Sequence, residues 1–353
     1  MQAVFYLGPK QLELREVPIP EPGPSEVIVK VAAALTCGTD LKGYLRGHRL
    51  FVAPMPFGHE FAGPISAVGA GVRGWCEGDL VTAANSAPCN ACFYCRCGQQ
   101  QLCEDLDNRF NWGAYAEYIR VPAHIVAQNM HRVPGTLPPE QAALIEPLAC
   151  ALHGVRDAGI QLGDTVAIVG AGAQGLMQIQ LARASGAAQV IAIGRAHGRL
   201  ERARRLGAHA TISTLDEDAV ARVRALTGGR GADVTIESAG SAETWQLALA
   251  LTRPGGTALM FSGLPGGTRV PFDATRVHYQ EINVKGCFHH TPRLVEQALA
   301  LLASGVVDGG ALIDGQIALE SVEDGLVRMA RSEVVKLAVM PGAPSARGMG
   351  VGG

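Results

Sequence analysis

The feature that most constrains the fold is a glycine-rich turn between a short apolar run and a helical pattern. The apolar run ends at Val169 and leads directly into Gly170-Ala-Gly172-Ala-Gln174-Gly175, which the helical pattern follows. Gly170 permits a tight turn, Gly172 allows close approach to the backbone, and Gly175 allows helix and strand to pack closely. The free N–H groups at such a helix N-terminus favour a phosphate. The order strand, turn, helix predicts a dinucleotide site in a parallel α/β domain.

The end of the next predicted strand bears on the choice of dinucleotide. Val190–Ile193 is followed by Gly194-Arg195, with no carboxylate to accept hydrogen bonds from a ribose 2′-hydroxyl. Arg195, helped by Arg199, could instead donate to a 2′-phosphate, which favours NADP(H) over NAD. The alternative is that both arginines are solvated surface residues. The expected cofactor-binding residues are Gly170, Gly172, Gln174, Gly175, Gly194, Arg195, Arg199 and Ser262.

Two regions of different pattern are expected in this chain of 353 residues. Up to about Ala149, short strands joined by Gly/Pro turns predict a β-rich domain: Ala3–Leu7, Leu12–Val17, Val27–Ala33, Phe61–Val68, Asp79–Ala83 and Ala116–Val121. After Gly163, strands alternate with helical patterns, which predicts a doubly wound parallel sheet: Thr165–Val169, Val190–Ile193, Asp233–Glu237, Thr257–Ser262 and Ile282–Lys285. The fold class is therefore α/β.

The C-terminal segments do not continue this alternation. Pro292–Ala303 is a predicted amphipathic helix and Val334–Met340 a predicted last strand, and both are expected to return to the first domain. Gly342–Gly353 is small and Gly/Ala/Pro-rich, so we expect a loose tail without a function.

Net charge and hydropathy limit the classes of partner that the protein is expected to bind. A formal net charge of -2 and the lack of a Lys/Arg block argue against a nucleic-acid or anionic-membrane partner and favour a small molecule. No apolar stretch reaches the roughly 18 residues of a membrane span, and Met1–Pro9 has no secretory pattern, so we expect a cytoplasmic protein.

A cysteine cluster predicts one metal site. Of the nine cysteines, Cys89-x-x-Cys92-x-x-Cys95-x7-Cys103 has the number and spacing of a closed tetrahedral zinc site, whose role is structural. Cys97 lies two residues after Cys95 and is an alternative ligand. Disulfide or redox chemistry is less expected in a long cytosolic chain.

A second set of ligands is dispersed along the chain. Cys37, His59, Glu60 and Glu146 offer one sulfur, one imidazole and two candidate carboxylates, which suits a catalytic zinc with an open position. Taken singly, each has an ordinary interpretation: a buried cysteine, a hydrogen-bonded histidine or a surface carboxylate.

With these motifs together, the chain resembles the zinc-containing medium-chain alcohol dehydrogenases over nearly its whole length. The segment Glu146-Pro147-Leu148 is most similar to the sorbitol/threonine dehydrogenase branch. The resemblance implies a GroES-like catalytic domain (1–149 and 286–353, with the zinc lobe at 89–103) and a Rossmann domain (150–285). It also implies a homodimer or homotetramer. For the catalytic zinc, it implies that Cys37 and His59 are ligands and that Glu60 and Glu146 share or alternate in the remaining protein ligand position.

Several further residues receive expected roles. Thr39, two residues beyond Cys37, is placed to begin a proton relay, with a plain turn threonine as the alternative. By the resemblance, Asp40 orients His59. Lys42 stands where the family often has a relay histidine; it could transfer a proton, bind the ribose or an anionic substrate, or be an unengaged surface lysine.

By the same resemblance, His289 and His290 are candidates for the substrate pocket, with structural or interface roles as the alternative. The predicted function is zinc- and NAD(P)(H)-dependent interconversion of a secondary alcohol, such as a polyol, sugar or amino alcohol, and its ketone. Two zinc ions per chain are expected. The alternatives are an NAD-dependent threonine-like or biosynthetic alcohol dehydrogenase, a zinc-free quinone or enoyl reductase on this fold, and a non-enzymatic zinc protein.

Overall fold

The structure, a computed structural model, describes residues 1–342. The expected tail from Gly342 to Gly353 lies, apart from its first residue, outside the described residues. No helix in residues 1–342 is both long and apolar enough to cross a membrane.

The chain forms two compact units. Unit 1 contains Met1–Pro147, His290–Ser304 and the chain from Leu312 onward, and unit 2 contains Leu148–His289 and Gly305–Ala311. The first division falls inside a helix, Ile145–Ala158, so the chain changes unit without a loop.

The strands of the described residues are β1 (Gln2–Gly8), β2 (Gln11–Glu16), β3 (Val27–Lys30), β4 (Ala33–Leu35), β5 (Met55–Pro56), β6 (Glu60–Val68), β7 (Leu80–Ala83), β8 (Tyr118–Val121), β9 (Met130–Arg132), β10 (Thr165–Val169), β11 (Gln189–Gly194), β12 (Ala210–Ser213), β13 (Ala232–Glu237), β14 (Thr252–Met260), β15 (Asn283–Gly286), β16 (Ile313–Ile317) and β17 (Lys336–Val339).

The α-helices of the same residues are α1 (Gly38–Arg46), α2 (Phe93–Arg96), α3 (Ala123–Val126), α4 (Pro139–Ala142), α5 (Ile145–Ala158), α6 (Ala173–Ala184), α7 (His197–Arg205), α8 (Ala219–Leu226), α9 (Ala242–Leu251), α10 (Ala274–Tyr279), α11 (Pro292–Ala303) and α12 (Val322–Ala330). Four short 3₁₀ turns lie at Gln100–Leu102, Leu106–Arg109, Gly310–Leu312 and Leu319–Ser321.

Unit 1 is built mainly on antiparallel strands, with β16 and β17 as a parallel pair. The larger sheet has the order β16-β17-β4-β6-β3-β8, with β7 paired to β6 and β9 to β7, and the smaller has the order β2-β1-β5. The C-terminal strand β17 lies antiparallel to β4, with Ala338 opposite Leu35. The core of unit 1 contains buried aromatic rings, including Phe57, Phe61 and Tyr115. The pairing of β17 with β4 brings residues 336–339 beside the segment that leads to Cys37.

Unit 2 is a parallel sheet with the strand order β12-β11-β10-β13-β14-β15. Every neighbouring pair is parallel, and β10 lies between β11 and β13. This order reverses direction at β10, as in doubly wound dinucleotide folds, where ligands bind beyond the carboxyl ends of the strands. The predicted α/β class is therefore confirmed.

Most predicted strands lie within one or two residues of the observed ones, but several expectations were wrong. The strand expected over Val27–Ala33 is two strands, β3 and β4. At the break, Gly63 of β6 passes so close that an added Cβ would lie 1.9 Å from the oxygen of Lys30. The strand expected at Thr257–Ser262 begins earlier, at Thr252, and ends at Met260. Four strands had not been predicted: β5, β9, β12 and β16.

Candidate functional site

Three residues of unit 1 form a buried or half-buried group, Cys37–His59–Glu60, which we call the mixed-ligand group. Each offers one ligand atom, and these atoms lie within 4.8 Å of one another. Cys37 is the N-cap of α1, and its sulfur accepts a hydrogen bond from the Thr39 amide at 3.4 Å. The positive end of the helix dipole therefore faces the sulfur, and it stabilises the thiolate that a metal ion would bind, although burial acts in the opposite direction.

His59 is held by a carboxylate and a phenol. Its Nδ1 lies 3.0 Å from Asp40 Oδ1, and both side chains are buried. The Tyr115 hydroxyl donates to the second oxygen of Asp40 and lies 3.1 Å from the oxygen of Leu35. Because Asp40 occupies Nδ1, the neutral ring is left with its Nε2 lone pair, as in histidines that bind metal.

The approach of Tyr115 explains a glycine next to His59. Gly58 has φ of +83°, and a Cβ added there would lie 2.7 Å from the Tyr115 ring. A larger residue at this position would displace Tyr115 or the turn that presents His59.

Glu60 is the third member and is fully buried. Its Oε2 accepts from Lys336 Nζ at 2.5 Å, and the same ammonium donates to the oxygen of Thr36 at 2.8 Å. Its Oε1 is buried without a hydrogen-bond partner. A buried carboxylate oxygen left without a partner is costly unless a ligand satisfies it.

The charges in the mixed-ligand group favour a cation. Burial lowers the pKa of His59, but the Asp40 carboxylate and Cys37 outweigh burial and raise it well above its ordinary value. Burial and the nearby Glu60 raise the pKa of the Cys37 thiol. Burial also raises the pKa of Glu60, although Lys336 opposes this shift. A sulfur, an imidazole nitrogen and an unpartnered carboxylate oxygen fit a zinc ion, whose binding would displace the protons from these groups.

The other residues predicted for this site are placed as follows. Thr39 and Lys42 lie half-buried on the first turns of α1. Among the described residues, the group that contains Cys37 and His59 does not include Glu146. Glu146 is buried on α5, and its Oε1 lies 4.0 Å from Nε2 of the buried His290.

The four cysteines of the predicted zinc lobe converge. The sulfur atoms of Cys89, Cys92, Cys95 and Cys103 lie within 4.8 Å of one another. Cys97 is exposed and is not part of this group. We call the segment 89–103 the four-cysteine lobe.

Backbone amides stabilise thiolates in the four-cysteine lobe. Hydrogen bonds from the amides of Ala91 and Cys92 lower the pKa of Cys89 to about 6. Backbone amides also lower the pKa of Cys92, whereas burial raises that of Cys95 to about 12. Four sulfurs in this arrangement fit a closed tetrahedral zinc site.

In unit 2, the glycine turn has the conformation that its sequence predicts. Gly170 follows β10 with φ of +110°, and an added Cβ would lie 2.9 Å from the Ala239 nitrogen. A Cβ added to Gly175 would lie 1.8 Å from the oxygen of Gly170. Gly172 is the N-cap of α6 and supplies no side-chain cap. The N-terminus of α6 therefore fits an anionic ligand such as a pyrophosphate.

The end of β11 carries the predicted arginines. Gly194 ends the strand, Arg195 is exposed, and Arg199 is half-buried in α7. Strand β13, which pairs with β10 on the side away from β11, ends at Glu237, a fully buried residue whose Oε1 accepts from the amides of Ala239 and Gly240 at 2.8 and 2.6 Å. Glu237 thus fixes the loop beside the glycine turn, a role that the sequence analysis missed.

Ser262 and His289, two other predicted site residues, also lie in unit 2. The Ser262 oxygen accepts from Trp245 Nε1 at 3.1 Å. The His289 oxygen accepts from His153 Nδ1 at 2.8 Å, and His289 has φ of +61°.

Family models match both halves of the chain. A model described as "Alcohol dehydrogenase GroES-like domain" matches residues 23–134, and one described as "Zinc-binding dehydrogenase" matches residues 173–304. Sorbitol dehydrogenase of Bacillus subtilis (strain 168) is 34% identical over 349 residues, which is 97% of this chain and 97% of that protein. The chain belongs to the zinc-containing medium-chain alcohol dehydrogenase family.

Other members of this dehydrogenase family give the same result. L-threonine 3-dehydrogenase of Bacillus subtilis (strain 168) is 35% identical over 93% of this chain and 94% of that protein. A structure of a zinc-binding dehydrogenase from Sinorhizobium meliloti 1021 bound to NADP has a TM-score of 0.89 and 35% identity, and the match covers 96% of this chain and 99% of that one. The resemblance stated from the sequence is confirmed, as are the GroES-like and Rossmann classes.

Proposed function

We propose that this dehydrogenase uses zinc and NAD(P)(H), with NADP preferred, to interconvert a secondary alcohol and its ketone. The observation that carries the proposal is the mixed-ligand group, with His59 fixed by Asp40 and with Glu60 Oε1 buried and unpartnered. We assign Cys37, His59 and Glu60 as the protein ligands of the catalytic zinc. Glu60 is favoured over Glu146 because it lies within the group. The four-cysteine lobe would hold a second, structural zinc.

The chemistry needs a hydroxyl that loses its proton and a carbon that loses a hydride. When bound, zinc acidifies a hydroxyl and the nicotinamide accepts the hydride. The chain's own part begins with orientation: Asp40 and Tyr115 fix the His59 ring, and Lys336 fixes Glu60. Such hydrogen bonds hold the ligands in place without reorganisation during the reaction.

Proton removal is assigned to the start of α1. Thr39 lies two residues from Cys37, and its hydroxyl can accept a proton from the substrate hydroxyl while passing on its own. Lys42 lies one helical turn further along the same helix, so we assign it to the outward path of the proton or to an anionic group of the ligand.

Cofactor preference is assigned to the end of β11. Two features support a bound 2′-phosphate: β11 ends at Gly194 without a carboxylate side chain, and the next residue, Arg195, has an exposed guanidinium. Arg199 would be a second donor. The double variant Gly194→Asp/Arg195→Ala should shift the ratio of kcat/KM values toward NAD by at least about tenfold, since it removes a charge-assisted hydrogen bond. A retained NADP preference would contradict the assignment.

For the substrate, we propose a polyol, sugar or amino alcohol, with His289 and His290 as candidate contacts. Two relatives, named sorbitol dehydrogenase and L-threonine 3-dehydrogenase, support this class. A screen of such alcohols, read by NADPH absorbance, would identify the substrate.

We also propose that the enzyme is a homo-oligomer. Strand β15 lies at the edge of the parallel sheet, and all four of its residues are exposed. Tyr279 and Phe288, on either side of it, are 78% and 48% exposed. An exposed strand edge with apolar neighbours favours pairing with a second copy. Light scattering would distinguish a monomer from a dimer or tetramer.

The catalytic assignment is tested with Cys37→Ser, with Cys76→Ser as control because Cys76 is exposed and belongs to neither metal group. Cys37→Ser should lower kcat/KM at least about a thousandfold, since several kcal/mol of transition-state stabilisation are lost. It should also lower the zinc content by one ion per chain. Unchanged turnover in Cys37→Ser would overturn the assignment.

A further inference from the structure

A second mixed set of ligands lies in unit 2 and belongs to neither metal group described above. His153 and Asp157 are one turn apart on α5, and Cys287 directly follows β15. One ligand atom from each lies within 4.8 Å of the others. His153 is buried, Cys287 is half-buried and Asp157 is exposed, so the cluster is closed on the side of His153 and open to solvent at Asp157.

The hydrogen bonding of His153 prepares its ring for a cation. Nδ1 lies 2.8 Å from the main-chain oxygen of His289, which can only accept, so Nδ1 carries a proton. In the neutral ring, Nε2 then carries a lone pair and can only accept a hydrogen bond. It lies 3.2 Å from Oδ2 of Asp157, and a carboxylate oxygen also can only accept. A metal ion between two such acceptors satisfies both. Histidine ligands of metals commonly donate their other N–H to a backbone carbonyl in this way.

The spacing agrees with a tetrahedral ion. Ligand bonds of about 2.0 Å at tetrahedral angles place two ligand atoms about 3.3 Å apart, close to the 3.2 Å between His153 Nε2 and Asp157 Oδ2. The pair His153 and Asp157 has i, i+4 helical spacing, which places both on one face. Cys287 supplies the sulfur that distinguishes zinc-like ions from magnesium or calcium.

We infer that His153, Asp157 and Cys287 form a third metal site, which binds a zinc-like divalent cation with water in its fourth position. On binding, the Cys287 S–H bond breaks, the sulfur bonds to the ion, and the proton goes to solvent. Lys285 donates to the main-chain oxygen of Asp157 at 3.2 Å, and its positive charge opposes a dication. The site is therefore weaker than the four-cysteine lobe, and it exchanges its ion with solution.

Cobalt(II) titration of the zinc-loaded enzyme tests this site, because thiolate–cobalt bonds absorb in the near ultraviolet. The wild-type protein should bind one additional equivalent of Co²⁺, with a sulfur charge-transfer band that saturates at that equivalent. Cys287→Ala should lose the band and the additional equivalent. Asp157→Asn, a change at an exposed position, should weaken Co²⁺ binding at least about tenfold.

Cys76→Ala is the matched control, since it removes an exposed cysteine far from α5 in sequence and should leave the titration unchanged. Circular dichroism verifies that each variant is folded. A band of unchanged intensity in Cys287→Ala, or no band in the wild type at millimolar Co²⁺, would overturn the inference. Neither result depends on the proposed reaction, which is tested separately by Cys37→Ser.

Discussion

The four-cysteine lobe and the mixed-ligand group both have donor atoms that fit a zinc ion, and we propose both as metal sites, but they are built differently. The lobe takes four sulfurs from residues 89–103, and the amides of Ala91 and Cys92 in the same segment donate to the Cys89 sulfur. The mixed-ligand group takes three kinds of atom from the N-terminus of α1 and the start of β6, and side chains from distant segments hold them.

The two sites differ in how much the residues around the ligands contribute to holding the ligands in place. The buried cluster at the lobe is small: Cys95 and Cys103 pack with Leu106, which lies just beyond the lobe. We therefore expect metal bonds to supply most of the lobe's stability. The mixed-ligand group lies beside the unit 1 core, and Asp40, Tyr115 and Lys336 surround its ligands. A closed site stabilises structure, whereas an open one needs a framework that persists without the ion.

The largest effect is expected when the lobe loses a ligand. Cys95→Ser should release the lobe zinc, and with it a local stabilisation on the order of 10 kcal/mol. Hydrogen exchange of residues 89–103 should then become fast, while zinc stays at Cys37 and His59. Simultaneous loss of both ions would show that the two sites are not independent and would break the comparison.

The next largest effect is expected at Lys336. Lys336→Met leaves the Glu60 carboxylate buried without its ion-pair partner, which should lower the free energy of unfolding by about 3–5 kcal/mol. Urea denaturation measures this change. Lys336→Arg keeps the charge and should recover most of the loss. Wild-type stability in Lys336→Met would mean that the ion pair does not support the mixed-ligand group.

A smaller effect is expected at Asp40. Asp40→Asn keeps the shape of the side chain but weakens its hold on His59, which should reduce zinc affinity or kcat/KM by about 10–100-fold. Competition with a chelator measures the affinity of the catalytic zinc. The lobe zinc should be unaffected. If both ions were lost together, Asp40 would have a general folding role.

The smallest effect concerns thiol reactivity after metal removal. With its pKa lowered to about 6 by the Ala91 and Cys92 amides, Cys89 should be about nine-tenths thiolate at pH 7. Burial and the nearby Glu60 raise the pKa of Cys37 above the ordinary value of a thiol, so Cys37 should be mostly protonated at that pH. Mass spectrometry after brief alkylation should find Cys89 modified first, with its rate levelling off above pH 7. Faster modification of Cys37 would contradict this difference.

The two regions also differed in how far the sequence predicted them. The lobe could be identified from spacing alone, because its four ligands are close in the chain. The grouping of Cys37, His59 and Glu60 was expected, and so was the contact of Asp40 with His59. The contributions of Lys336 and Tyr115 were not expected: Lys336 is 276 residues from Glu60, and Tyr115 is 75 from Asp40. No local pattern marks such partners, since strand pairing brings them together. The short strand β12 was missed because Ala210–Ser213 is short and only partly apolar.

Anomalous diffraction at the zinc absorption edge, from crystals of the zinc-loaded enzyme, would locate the bound zinc ions. The assignment of two zinc ions predicts one peak among the four lobe sulfurs and a second within bonding distance of Cys37 Sγ and His59 Nε2. An enzyme that turns over fully but shows no peak between Cys37 and His59 would contradict it.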